Sequence, residues 1–99
     1  MGIHLSRWER RKEPKTSAIR KAFNTIKSAD YAAAGQIKVT DLVDGVIAVG
    51  PRGQYVQESD SLGLIINGHV AAGPDEEPTD VAVRFAVVAL LGYDPETAD

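Results

Sequence analysis

Residues 45–72, GVIAVGPRGQYVQESDSLGLIINGHVAA, decide the fold because they satisfy two incompatible periodicities. In the helical reading, one segment starts at Thr40, places Leu42, Val43, Val46 and Ile47 on one side and stops at Gly50 and Pro51. Another starts near Ser59 or Asp60 and spaces Leu62, Ile65, Ile66, His69 and Val70 at i, i+3, i+4, i+7 and i+8, before the stop AAGP. Gly45 weakens the first of these by about 1 kcal/mol. In the strand reading, VIAVGPRGQYVQ is two strands joined by a four-residue turn with Pro51 at its second position, and Asn67-Gly68 is a hairpin dipeptide. Seven of the nine glycines lie between Gly35 and Gly73, which favours hairpins. The repeated Gly-then-Pro stops favour helices, and the balance falls on the helical side.

The flanks read the same way under both alternatives. After the candidate N-caps Thr16 and Ser17, Ile19, Ala22, Phe23, Ile26, Ala29 and Ala33 recur at helical spacing up to Gly35. A final helix opens at Pro78, Thr79 and Asp80, runs through Val81, Phe85, Val88 and Leu91, and closes at Gly92 with Pro95 beyond. The acidic run 75–77 suits its positive end. The expectation is therefore an all-α fold, a small single-domain bundle of about four short helices. The alternative is α+β, with antiparallel hairpins in 45–72 between two helices.

At 99 residues, 43% apolar and 25% charged, the chain is sized for one ordinary globular domain. It has no cysteine, which excludes disulfides, thiolate nucleophiles and Cys-ligated metal. No apolar run approaches the ~20 residues of a membrane span, and no export signal is visible, so a cytoplasmic location or a place in a larger soluble particle is expected. The net charge of −3 conceals a strong asymmetry. Residues 1–27 carry eight cations against Glu9 and Glu13, whereas residues 28–99 carry Lys38, Arg52 and Arg84 against twelve carboxylates. A basic arm, 1–15, thus precedes an acidic globular domain, 16–99.

Catalytic signatures are missing. No Ser lies in a G-x-S-x-G turn, and GPRGQYV lacks the Lys and Ser/Thr of a phosphate-binding loop. His69 sits on the apolar stripe of the third segment, which points to a buried, satisfied side chain, and it is far from His4. Asp41 and Asp44, three apart on one helical face, lack a third ligand and read as capping and solvated residues. Arg52 in GPRG reads as a solvated turn residue, and Arg84 as a solvent-edge residue or a partner of Asp80. No enzymatic activity, metal or cofactor is expected.

The functional signal lies in RWERRKEPK, 7–15, where the chain's one Trp is set among its densest cations. The plainest account folds the arm back onto the acidic body, with surface ion pairs worth at most about 1 kcal/mol each. A nucleic-acid contact would use Arg7, Arg10, Arg11, Lys12 and Lys15 on phosphates and stack Trp8 on an unpaired base, against repulsion from the acidic remainder. A protein contact would use Trp8 as anchor and the arginines around it. The opening MGIHLS also fits the N-myristoylation pattern, and membrane binding is expected only if Gly2 is acylated. Of the functional readings the protein contact is preferred: a small interaction protein, an adaptor, assembly component or regulator, that docks on a larger partner or on its own copies as an oligomer through Arg7, Trp8, Arg10, Arg11, Lys12 and Lys15. Nucleic-acid binding through the same arm is the runner-up. If the last helix proves apolar all round, an exposed Val and Leu face would signal self-association.

Overall fold

The computed structural model describes residues 17–97. The elements are α1 (Ala18–Ala29), α2 (Tyr31–Ala34), β1 (Lys38–Leu42), β2 (Gly45–Val49), β3 (Tyr55–Ser59), β4 (Gly63–Ile66), β5 (His69–Ala72) and α3 (Asp80–Leu91). The strands form one antiparallel meander in sequence order, and α1 and α3 pack against each other and on β3, with α3 also reaching β4. The fold is α+β. This overturns the all-α expectation: the helices anticipated over 40–50 and 59–72 are the hairpins and turns of the sheet.

The physical reason lies in the alternation. Register pairs Val39 with Ala48, Ala48 with Val56, Val56 with Ile66 and Ile66 with His69, and a parallel row runs Asp41, Val46, Glu58, Leu64, Ala72. Val46, Ala48, Val56, Leu64 and Ala72 from these rows join the core with Ile19, Ala22 and Ile26 of α1 and Ala86, Val87 and Leu90 of α3. A helix over 59–72 would instead have carried Gly63 and Gly68 in its interior at about 1 kcal/mol each. In the sheet the same glycines close turns. Asn67 and Gly68 both take positive φ, 49° and 87°, as a two-residue hairpin of the primed type requires. The Gly50-Pro51 pair begins the β2–β3 turn, where the Gly53 N–H donates to the Gly50 carbonyl at 3.0 Å. Gly45 has φ 132°, and a Cβ there would collide with the Glu58 carbonyl, so neighbouring strands close only over glycine.

The two flanking helices follow their caps. The Ser17 hydroxyl accepts from the Arg20 N–H at 3.0 Å and Thr79 from the Ala82 N–H at 3.0 Å, while Gly92 ends α3 at φ 83°. The first helix stops earlier than Gly35. Asp30 turns extended at φ −152° and its carboxylate accepts from the Ala33 N–H at 3.0 Å, which restarts the chain as the separate turn α2.

Candidate docking groove

Beyond the edge of the helical layer, the row that ends in Ile66 and His69 meets α3 in a groove of about 360 Å³. Its lining is Ile66, His69, Val70, Ala71, Thr79, Ala82 and Phe85. The β4–β5 pairing shifts register between Leu64 and Ile65, which places Ala71 as an extra residue in the edge strand and bends β5 at the groove. Ala82 is buried and Ile66 half-buried, so they form the base. Val70 is 62% exposed and Phe85 58% exposed, and Val81, one helical turn before Phe85, is 61% exposed.

α3 is apolar on nearly every side: Ala82, Ala86, Val87, Ala89, Leu90 and Leu91 are buried, yet Val81 and Phe85 face outward. The exposed Val and Leu face set as the condition for self-association is not formed: Leu90 and Leu91 are core residues, Arg84 is ion-paired on the same helix, and the exposed apolar side chains of α3 are Val81 and Phe85. The lining holds no ionisable side chain other than His69; Asp75 and Glu77, exposed in the loop before α3, and Asp80, which opens that helix, neighbour Thr79 in the chain. Glu76 in that loop accepts from the Gly73 N–H at 2.6 Å.

A second polar feature lies at the start of α1. Glu58 is only 5% exposed on β3, in the row between Val46 and Leu64. Its carboxylate accepts from the Ser17 hydroxyl at 2.7 Å, the Ile19 N–H at 2.9 Å and, more loosely, the Ala18 N–H at 3.3 Å. An anion here answers the unpaired N–H groups and positive dipole end of α1. It ties the first described residue to the middle of the sheet.

The other charged clusters hold turns together. Asp44, in the β1–β2 turn, accepts from the hydroxyls of Ser59 and Ser61, each at 2.6 Å, and these bonds hold its carboxyl below the usual carboxylate range. Arg84 donates to both Asp94 oxygens at 2.7 Å and reaches Glu96 at 2.8 Å; this lowers the Asp94 pKa and raises that of Arg84.

The sequence-derived assignments fare unevenly against this geometry. Arg7, Trp8, Arg10, Arg11, Lys12 and Lys15 lie outside the described residues, as does His4. His69 is exposed on β5 rather than buried on a helix. Asp41 and Asp44 share no helical face, since one is on β1 and the other in the turn after it. Arg84 pairs with Asp94 and Glu96, not with Asp80. Arg52 is exposed in its turn, with its guanidinium 5.9 Å from the centre of the Tyr93 ring. Among the described residues no cluster of three or more metal-ligating side chains occurs, and no helix is long and apolar enough to cross a membrane. Sequence reasoning missed the groove and the role of Glu58. The available signal for the groove was the near-continuous apolar run of α3, too rich to be buried on every side.

The chain matches no protein-family model, no curated protein and no solved structure.

Proposed function

We propose that this protein is a small non-catalytic interaction module that docks on a larger protein or on its own copies, with Trp8 and the cations Arg7, Arg10, Arg11, Lys12 and Lys15 as one contact. The observation that supports it best is the exposed apolar surface of Val70 and Phe85 on an open groove, with Val81 exposed one helical turn before Phe85, on a domain whose core is already closed. Isolated apolar side chains at a surface are ordinary, whereas two that border one groove are suited to receive an apolar side chain of another segment. Charge favours the same reading. The described body carries Arg20, Lys21, Lys27, Lys38, Arg52 and Arg84 against eleven carboxylates, a net of −5, and repels a polyanion while attracting basic protein segments.

A photo-crosslinking residue in place of Trp8, in cells that express the chain, provides the test. Intermolecular protein adducts are expected, and Arg10→Glu with Arg11→Glu should abolish them. Adducts to nucleic acid, or no intermolecular adduct at all, would overturn the proposal. A nucleic-acid contact through five phosphates would also show a log–log salt slope of about −4, which a Trp-anchored protein contact would not.

A further inference from the structure

We infer that the groove between β5 and α3 is a binding site for a basic peptide carrying one large aromatic residue, and that its resident occupant is residues 7–12 of the same chain, RWERRK. This rests on the reading of the arm as the docking element and adds a closed form to it, in which the arm is held by its own body until an outside partner competes.

Size selects the class of occupant. Val70 and Phe85, 62% and 58% exposed, together offer on the order of 200 Å² of apolar surface at the groove, far below the ~800 Å² per partner of a standard protein interface. One large aromatic buries about 150–250 Å², which matches the patch. The cavity of about 360 Å³ has an apolar base of Ile66 and Ala82 and an aromatic wall in Phe85, suited to an indole packed edge-on or offset. Charge selects the flanks. The lining contains no Lys or Arg, and it lies on a body whose described residues carry a net charge of −5, so residues beside the aromatic should be cations. In residues 7–12, Arg7, Arg10, Arg11 and Lys12 surround Trp8 against the single Glu9.

Chain length selects the same molecule over a second copy. The described chain begins at Ser17, whose hydroxyl is bonded to Glu58. Glu58 pairs with Leu64 and Leu64 with Ala72, so two strand spacings of about 4.8 Å put Ala72, the neighbour of the groove residue Ala71, about 10 Å away. The nine residue steps from Trp8 to Ser17 can span about 30 Å. A tethered segment that reaches its site has an effective concentration of order mM, above that of any free copy in dilute solution.

The single Trp makes the test direct in the full chain. Trp8 emission should be blue-shifted, and acrylamide quenching several-fold weaker than in the urea-unfolded chain, both unchanged on dilution. Phe85→Glu and Val70→Lys, at exposed positions, should abolish that protection with far-UV circular dichroism unaltered. Leu62→Glu, exposed in the β3–β4 turn away from the groove, should leave it intact. Quenching equal to that of the unfolded chain would overturn the inference, and so would protection that survives Phe85→Glu and Val70→Lys. Protection that falls on dilution, with a dimer seen by light scattering, would assign the arm to a second copy and refute the same-chain occupant. The two proposals fail separately. An unprotected Trp8 that still crosslinks to other proteins removes only the closed form. A protected Trp8 that never crosslinks to another molecule removes only the outside partner. If both hold, Phe85→Glu should increase intermolecular crosslinking, because the competent open fraction scales the apparent affinity.

Discussion

Replacing Glu58 tests the link between the sheet and the start of α1. Glu58→Gln keeps the shape but removes the charge, and at least one amide hydrogen then faces groups that can only donate or prefer to. Two well-formed bonds are at stake, from Ser17 Oγ at 2.7 Å and Ile19 N at 2.9 Å, in a residue 5% exposed. A hydrogen bond to a charged group contributes about 1.5–3 kcal/mol, but the neutral amide still accepts one bond, so the expected loss is about 2 kcal/mol. Glu58→Ala leaves the Ser17 hydroxyl and the Ile19 N–H without their acceptor and opens a cavity between Val46 and Leu64, which raises the loss to about 3–4 kcal/mol. For a domain of this size 1 kcal/mol shifts Tm by about 4–8 °C, so Glu58→Gln should melt roughly 8–16 °C below the parent. Urea unfolding followed by circular dichroism should show the midpoint falling at constant slope. The opposing force is the desolvation of a carboxylate among apolar neighbours. If that dominated, Glu58→Gln would melt at or above the parent temperature, and such a result would refute the capping role assigned here. A cycle with Ser17→Ala should show coupling of about 1 kcal/mol, because the two side chains share one bond.

Three further outcomes follow from the geometry. Gly45→Ala should cost about 2 kcal/mol or more, since φ 132° is strained for any L side chain and the new Cβ meets the Glu58 carbonyl; Gly53→Ala, at φ 87° but in open space, should cost about half as much. Denaturant midpoints of the two variants compare them. Asp44 and Asp94 both titrate below their ordinary range, Asp44 through Ser59 and Ser61 and Asp94 through Arg84, so their contribution is complete above the unfolded carboxylate pKa and is lost as pH falls through the folded values. Thermal melts should therefore be level from pH 7 to about pH 5 and decline below about pH 4; Asp94→Asn should melt lower than the parent at neutral pH and converge with it in strong acid. Measured in the Trp8→Ala background, where no indole is left to dock, Phe85→Glu, whose side chain is 58% exposed, should change stability by no more than about 0.5 kcal/mol, and a large loss there would mean that Phe85 belongs to the core.

Local chemistry determined the ends of the domain. Ser17, Thr79 and Gly92 act within a turn of the helices they bound, so their signals were legible without knowledge of anything distant. The division between a cationic leader and an acidic body is likewise a property of the chain alone. The middle third was not legible in this way. Apolar residues in 45–72 are dense enough to satisfy a period of 3.6 or of 2, and the choice falls to partners supplied from elsewhere: Val46 gains Glu58 and Asp41 as strand neighbours, and Ile66 gains Val56. Backbone hydrogen bonds between strands, and helices to cover one face, make the strand reading stable only once the sheet exists. Glu58 shows the same limit in one residue. Read along the chain it is an acid beside a serine; in the fold it is the acceptor for Ser17, 41 positions earlier. The groove is a product of tertiary structure too, because α3 crosses β3 and β4 while β5 extends the sheet past it, leaving Phe85 and Val70 on either side of a gap that no local pattern encodes.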